Sequence, residues 1–246
     1  MWRRGRRLAL VFLLALPLVA LIAAALPPRP IAAVLSRLFP GCLYHVADAQ
    51  RDGRPLVALT IDDSPDSATT AAILDTLKAY GARATFFVIT GQIARDSLVL
   101  RRMVAEGHEI GNHFTEDRPS ILLDSVEFER DLAASDSALR PFAAPRWARP
   151  GAGWYSPRMA RQMERAGYRC ALASVYPVDT ALPWVWFAER YIVAHVYPGA
   201  VVVMHDRGSR GQRTARVLGR VLGRLRGSGY EFVSLRELAV RVGMPR

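Results

Sequence analysis

Two adjacent carboxylates, Asp62 and Asp63, directly follow an apolar, β-branched run over residues 56–61. Such a run predicts a strand that is buried on both faces of a parallel sheet. The carboxyl end of this kind of strand is where α/β folds place their chemistry. Because successive strand residues point to opposite faces, one carboxylate could bind a cation while its neighbour handles a proton. The simpler alternative is that these acids cap the following helix.

Three further polar clusters each follow a predicted strand. The first, over residues 107–117, contains His113 and Asp117. On a helical turn, a spacing of four residues offers two ligands to one metal ion. The second cluster begins at Arg149, and the third ends a β-prone run at His205. Because the carboxyl ends of parallel strands share one edge of a sheet, we expect the clusters to meet in one pocket.

The elements that must position these residues form a regular alternation. Short apolar runs predict seven strands, at residues 56–61, 84–89, 109–111, 146–149, 168–174, 200–204 and 230–233. Amphipathic segments predict helices at residues 68–80, 97–106, 125–139, 157–166, 184–196, 214–226 and 235–242. Seven βα units in a row predict an α/β fold with a parallel sheet, near the lower size limit for a closed barrel.

The bulk composition bounds the size of the domain and its partners. With 246 residues, 51% of them hydrophobic, the chain can form one α/β domain with a full core. The formal net charge of +11 raises the question of a nucleic-acid partner. However, the arginines are scattered over predicted helices, without a basic run in the domain and without interleaved aromatic residues. We therefore expect no nucleic-acid partner.

The amino terminus predicts export across a membrane. Residues 1–7 carry four arginines, and residues 8–26 form an apolar stretch without a charged side chain. At about 1.5 Å per residue, this stretch can just cross the hydrocarbon core of a bilayer. The basic flank stays inside, so the rest of the chain should face outward, in the periplasm or outside the cell. We predict an uncleaved signal-anchor; a cleaved signal peptide and a secreted protein are the alternative, which the small residues 23–25 allow.

The chain has two cysteines, Cys42 and Cys170. In an oxidising exterior they could pair with each other. Cys170 lies in an apolar run, where an inert core thiol is an equally good interpretation. The sequence leaves this choice open.

These clusters, in this order, resemble the motifs of the polysaccharide deacetylases of carbohydrate esterase family 4, the NodB-like enzymes. The family's Thr-Phe-Asp-Asp motif is matched by residues 60–63, and its Arg-Pro-Pro-Tyr-Gly motif is matched loosely by residues 149–153. The histidine-containing second motif is matched at His113, with Asp117 where the family has a second histidine. The closing His-Asp motif is matched at residues 205–206, and the resemblance spans residues 56–238.

The resemblance implies a distorted (β/α)7-8 barrel of parallel strands and a hydrolase of carbon–nitrogen bonds other than peptide bonds. The expected reaction is metal-dependent removal of acetyl groups from N-acetylated sugars of a chitin-like or peptidoglycan-like glycan. The expected organisation is a signal-anchor or signal peptide over residues 1–26, a linker over 27–53 and the catalytic domain over 54–246. The alternative function is that of a catalytically weak or inactive carbohydrate-binding relative, anchored in the cell envelope.

The metal ligands that the resemblance implies are Asp63, His113 and Asp117, holding one divalent ion (Zn, Mn, Co or Mg). Replacing an imidazole by the Asp117 carboxylate makes the site harder and more anionic, which shifts its preference from zinc towards manganese, magnesium or cobalt. The alternative is that Asp117 caps a helix and that water or Glu116 is the third ligand.

The remaining roles that the resemblance implies concern proton transfer and substrate binding. Asp62 is the expected general base, and Arg149 would keep it ionised and oriented. His205 is the expected general acid for the departing amine, and Asp179 would tune it. The neighbouring aromatics Trp154 and Tyr155 offer faces for sugar stacking, although they could equally belong to the core.

Overall fold

The central element of the computed structural model, which describes residues 27–241, is the long strand β3, Arg54–Ser64. It is buried from Leu56 onward. On one side it pairs in parallel with β4, Thr85–Val88. Nearer the start of β3, the same side pairs in parallel with β9, Glu231–Val233, and the other side pairs in parallel with β8, Val201–His205. The two faces of this strand pack into separate hydrophobic core clusters, which explains its unbroken apolar sequence.

The remaining strands are β1 (Cys42–Leu43), β2 (Gln50–Arg51), β5 (Glu109–Asn112), β6 (Trp147–Ala148) and β7 (Arg169–Ala171). The sheet order is β1-β7-β6-β5-β4-β3-β2, and every pairing except the antiparallel β2–β3 pairing is parallel. An isolated bridge between Val175, after β7, and Val202 brings the far side of the sheet towards β8. The sheet therefore curls into a half-barrel, with the carboxyl ends of its parallel strands at one rim.

The helices are α1 (Pro28–Leu38), α2 (Thr70–Ala79), α3 (Ile93–Ala105), α4 (Ser125–Leu139), α5 (Pro157–Arg165), α6 (Val185–His195), α7 (Gly208–Gly227) and α8 (Leu235–Arg241). Short 3₁₀ turns lie at Thr90–Gln92, Ser120–Leu122 and Gly151–Gly153.

Helix α7 packs against α2 and α6. On β3, Val57 and Ile61 belong to the core beneath these helices, whereas Leu56 and Ala58 belong to a separate cluster. The period-two alternation of the strand thus supplies two cores.

The seven predicted strands are all confirmed, as strands β3 to β9. Several element boundaries differ from the prediction, and two of the larger differences bear on the rim. Strand β3 continues through Asp62 and Asp63 to Ser64 instead of ending at Ile61. Helix α7 begins at Gly208, six residues earlier than predicted. The Gly208 N–H donates to Asp66 Oδ2 at 3.0 Å, a contact distant in sequence that local periodicity cannot show.

The segment before β3 is tied to the sheet by a disulfide between Cys42 and Cys170, which joins the paired strands β1 and β7. This decides the question that the sequence left open. Among residues 27–241, no helix is both long enough and apolar enough to cross a membrane. The predicted signal-anchor over residues 1–26 lies outside the described residues.

Candidate active site

Asp62 and Asp63 end strand β3 in an irregular conformation. The β3–β4 pairing shifts register between Ile61 and Ser64, and Asp63 has a φ of 65°. A positive φ takes the backbone out of the strand's alternation, a strain that non-glycine residues carry mostly at functional sites. The expectation that the two carboxylates point to opposite faces is therefore wrong. Both are buried, and both line the same cavity.

The side chain of Arg149, which follows β6, holds Asp62. Its Nη1 donates to Asp62 Oδ1 at 2.6 Å and to Thr60 Oγ1 at 2.9 Å, and its Nε donates to the Ala171 carbonyl at 2.9 Å. The guanidinium lies 4.1 Å from the centroid of the Phe87 ring. Burial lowers the pKa of Arg149, and the charge of Asp62 opposes that shift. Each buried charge therefore compensates the other, and Asp62 is held in one orientation.

His113, at the end of β5, presents one ring nitrogen to both carboxylates. Its Nδ1 lies 2.6 Å from the carbonyl oxygen of Arg149, so Nδ1–H is the donor in this contact. Nε2 then carries a free lone pair. It lies 3.7 Å from Asp63 Oδ1 and 4.0 Å from Asp62 Oδ2. The imidazole is thus fixed in the tautomer that a metal ligand needs.

Asp63 is a buried carboxylate with an unsatisfied oxygen. Its Oδ2 accepts no hydrogen bond. Burial is the largest cause of its raised pKa, and the nearby His113 opposes that shift. The Nη1 of Arg210 approaches Oδ2 to 3.0 Å, without the alignment of a hydrogen bond, and Nη2 of the same guanidinium lies 3.8 Å from Asp117 Oδ2. Arg210 therefore lies between two of the predicted metal ligands.

Asp63 and His113 fit a divalent cation. Two ligands of one tetrahedral ion lie about 3.4 Å apart, close to the separation of the Asp63 and His113 donor atoms. Asp117, with a side chain 48% exposed, lies at the edge of the cavity and is connected to Asp63 through Arg210. Within residues 27–241, no three ligand-type side chains are already assembled around one point.

His205, at the end of β8, is paired with Asp179. Its Nδ1 lies 3.0 Å from Asp179 Oδ1, and its backbone N–H donates to Asp179 Oδ2 at 2.9 Å. Burial lowers the pKa of His205, but the hydrogen bond and charge of Asp179 outweigh burial and raise that pKa to about 9. The ring of Tyr176 meets the imidazole edge-on at 5.9 Å between centroids. Near neutral pH, His205 is therefore protonated and can donate from Nε2.

Asp206, next to His205, has a structural function. It is fully buried and accepts hydrogen bonds from Ser64 Oγ at 2.9 Å, from Thr69 Oγ1 at 2.6 Å and from Thr70 Oγ1. These contacts tie the end of β8 to the end of β3 and to the start of α2. The relative position of Asp62, the predicted general base, and His205, the predicted general acid, depends on this link.

The cavity that these groups share has a volume of about 480 Å³. Its lining includes Tyr44, Asp62, Asp63, His113, Asp117, Arg118, Arg149, Leu172, Tyr176, Thr180, His205 and Arg210. Trp154 and Tyr155 do not line it. Trp154 is 68% exposed beyond the Gly151–Gly153 turn, and the Tyr155 hydroxyl donates to the Phe39 carbonyl at 2.6 Å. Tyr155 packs against the core cluster under α1.

The sequence interpretation missed Arg210 and Tyr176. Arg210 is one arginine among many on a basic helix, and no local pattern distinguishes it. Tyr176 lies three residues before Asp179, so the same stretch of sequence could have indicated it. The backbone conformation is also unusual along this rim. Five non-glycine residues within three positions of the predicted site residues have a positive φ: Asp63, Phe114, Ala152, Val178 and Arg207.

Comparison with known proteins agrees with this geometry. A family model described as polysaccharide deacetylase matches residues 49–171. A peptidoglycan-N-acetylglucosamine deacetylase of Bacillus cereus is 31% identical over 186 residues, which cover 74% of this chain and 87% of that protein. A chitooligosaccharide deacetylase of a Bradyrhizobium species is 32% identical over 200 residues, which cover 76% of this chain and 91% of that protein.

A solved structure gives the same result for the fold. A family 4 acetyl xylan esterase from Clostridium thermocellum, in complex with a cobalt ion, superimposes with a TM-score of 0.70 at 30% identity. The match covers 77% of this chain and 93% of that one.

The predicted α/β fold of parallel strands is confirmed in its coarse form, a curled half-barrel. The predicted enzyme class, a hydrolase of carbon–nitrogen bonds other than peptide bonds, is confirmed as well. The chain belongs to the polysaccharide deacetylase family.

Proposed function

We propose that this chain removes acetyl groups from N-acetylated sugars of a peptidoglycan-like or chitin-like glycan, and that the reaction depends on a divalent cation. The observation that carries the proposal is the pair of charge-compensated contacts, Asp62–Arg149 and His205–Asp179, on one cavity. The first contact offers a carboxylate that can take a proton, and the second offers an imidazolium that can give one. The names of the Bacillus and Bradyrhizobium relatives support the substrate class.

The cation would be held by Asp63 and His113, with Asp117 as the third ligand. It would supply Lewis-acid polarisation of the amide carbonyl and of the attacking water. Two carboxylates and one imidazole favour manganese, cobalt or magnesium over zinc. The cobalt ion in the Clostridium thermocellum relative supports a divalent cation here.

Asp62 would act as the general base. It would take a proton from the water whose oxygen attacks the carbonyl carbon. Arg149 leaves the second oxygen of that carboxylate free, because it binds Oδ1 and donates to three further oxygens that fix its own position. Asp62 Oδ2, on the His113 side, is then the oxygen available to the water.

His205 would act as the general acid. The carbon–nitrogen bond breaks only when the nitrogen gains a proton, because an amine anion is a very poor leaving group. Asp179 binds Nδ1, so the proton is delivered from Nε2. The products are acetate and the free amino sugar, with the carboxylate oxygen supplied by water.

We place this activity outside the cytoplasm. The disulfide between Cys42 and Cys170 supports an oxidising compartment, where such bonds persist. The proposal includes attachment to the membrane through residues 1–26 and an acetylated glycan of the cell envelope as the partner.

Acetate release tests the proposed function. The full-length protein is incubated with N-acetylglucosamine oligomers or with peptidoglycan, with added Mn²⁺ or Co²⁺ and with a chelator. We expect metal-dependent acetate release that falls about 10²–10⁴-fold in Asp62→Asn, the range for loss of a general base. The matched control is Asp75→Asn, which alters an exposed aspartate on α2.

Acetate release that is unchanged in Asp62→Asn would contradict the assignment of the base. A folded protein that binds these glycans but releases no acetate with added Mn²⁺, Co²⁺, Zn²⁺ or Mg²⁺ would instead favour the carbohydrate-binding alternative. Circular dichroism of each variant separates both outcomes from a failure to fold.

A further inference from the structure

The position of Arg210 has a consequence that goes beyond the ligand set, although it rests on the proposed metal site. Its guanidinium lines the cavity and contacts Asp63 and Asp117, two of the three proposed ligands. A positive charge of the protein's own thus lies among the groups that would bind the metal ion. Ion and guanidinium both need the same two carboxylates, and carboxylates that already face a cation attract a second one less strongly.

The helix dipole disfavours an arginine at this position. Arg210 is the third residue of α7, which begins at Gly208. The amino-terminal turn of a helix carries a partial positive charge, so a cation there is unfavourable by itself. The carboxylates of Asp63 and Asp117 offset that repulsion, and the arginine in turn reduces the repulsion between the two acids.

The backbone beside Arg210 is fixed against the rim. A Cβ added at the next residue, Gly211, would lie 2.4 Å from Asp206 Oδ1 and 2.5 Å from Thr69 Oγ1. The start of α7 therefore packs directly against the buried Asp206. The side chain of Arg210, in contrast, is 27% exposed and lines the cavity.

The contact between Arg210 and Asp63 is electrostatic and is not a directed hydrogen bond. The 3.0 Å approach leaves Asp63 Oδ2 without a hydrogen bond, although that oxygen is buried. Arg149, in contrast, makes four aligned hydrogen bonds from full burial. One arginine is locked in the protein, whereas the other is held by charge alone.

We propose that Arg210 is a built-in competitor for the divalent cation: it neutralises Asp63 and Asp117 in the metal-free protein and must leave them when a metal ion binds. The apparent metal affinity is then lower than the ligand set alone would give, by the free energy needed to release the guanidinium. The partly exposed side chain can move towards the solvent at the cavity mouth without any change in the backbone.

Metal affinity measured directly tests this inference. The full-length protein and its variants are stripped with a chelator and titrated with Mn²⁺ alone in a calorimeter, without substrate. We expect Arg210→Gln to bind Mn²⁺ about ten- to hundredfold more tightly than the wild type, as expected for loss of a charge-assisted contact. Arg210→Lys keeps the charge and should stay closer to the wild type.

Arg220→Gln is the matched control, since Arg220 lies on the same helix and pairs with Glu189 on the surface. Its Mn²⁺ affinity should equal that of the wild type. Thermal melting of the metal-free proteins gives a second readout: Arg210→Gln should melt lower than the wild type without metal and should gain more on adding Mn²⁺.

Two results would overturn the inference, and they differ in what they say about the proposed function. If wild type and Arg210→Gln bind Mn²⁺ equally well, Arg210 is no competitor, and the metal site stands. If neither binds Mn²⁺, Co²⁺ or Zn²⁺ while both remain folded, the metal site itself is wrong, and the inference falls with it.

Discussion

The two histidines that line the cavity lie at the carboxyl ends of two strands of one sheet, yet their surroundings suit them to the two different roles proposed above. His113, after β5, has its Nδ1 bound to the carbonyl oxygen of Arg149. His205, at the end of β8, has its Nδ1 bound to the carboxylate of Asp179. A carbonyl fixes the tautomer without adding a charge, whereas a carboxylate fixes the tautomer and stabilises the imidazolium. The partner of Nδ1 therefore distinguishes the proposed metal ligand, His113, from the proposed general acid, His205.

The Nδ1 contacts of His113 and His205 also differ in whether a substitution can remove them. The partner of His113 is a backbone atom, so it persists when the Arg149 side chain is changed. The partner of His205 is a side chain that one substitution can neutralise. Substitution of Asp179 therefore tests the effect of the Nδ1 partner directly, whereas no substitution removes the backbone partner of His113.

The largest expected effect comes from removing each histidine in turn. His113→Gln and His205→Gln should each lower kcat/KM by about 10²–10⁴-fold, for different reasons. His113→Gln should weaken Mn²⁺ binding by at least about tenfold because a ligand is lost, whereas His205→Gln should leave it unchanged. Calorimetric titration with Mn²⁺, done alongside the acetate assay, distinguishes loss of metal binding from loss of the acid. Equal loss of metal in both variants would remove the distinction between ligand and acid.

A smaller effect is expected from Asp179→Asn, which keeps the shape and an acceptor oxygen but removes the charge. Burial would then lower the pKa of His205, with only the charges of Asp62 and Asp63 still opposing it. The basic limb of the kcat/KM profile should move to lower pH by on the order of two pH units. Asp136→Asn, which alters an acid on α4 bound to Tyr168, is the control. A basic limb that stays in place would show that Asp179 does not set the pKa of His205.

Much of this arrangement could be predicted from the sequence, for a physical reason. Strand β3 is a continuous apolar run, so its position and the rim location of Asp62 and Asp63 follow from local periodicity. His205 ends a second such run. Because the carboxyl ends of parallel strands lie at the same edge of a sheet, the four polar clusters that follow predicted strands were enough to predict one pocket.

The parts that could not be predicted depend on the backbone irregularity at the rim and on contacts between distant residues. The positive φ of Asp63 brings both acids to one cavity, although strand alternation predicts opposite faces. Arg210 reaches Asp63 only because α7 begins at Gly208, where a contact to Asp66 fixes it. Neither feature has a local pattern in the sequence.

The smallest expected effect concerns the pH dependence of stability. A third histidine, His195, serves as its control. The pKa of His205 is raised to about 9 in the folded protein, against about 6.5 for an unfolded chain. The folded state holds this proton more tightly, so the contribution to stability is complete below about pH 6.5 and is lost as pH rises through about 9. The difference in unfolding free energy between wild type and His205→Gln, both metal-free, should therefore shrink by on the order of 2 kcal/mol between pH 6 and pH 10.

Urea unfolding at the two pH values measures this difference, and groups that titrate in both proteins cancel in it. The matched control is His195→Gln, because the Nδ1 of His195 pairs with a carbonyl, that of Tyr191, as the Nδ1 of His113 does. His195 has no carboxylate partner at Nδ1, so His195→Gln is the reference against which the pH dependence of the His205→Gln difference is read. If His205→Gln behaves like His195→Gln, the carboxylate of Asp179 does not stabilise a charged imidazole, and the two histidines of the cavity do not differ in the way their partners suggest.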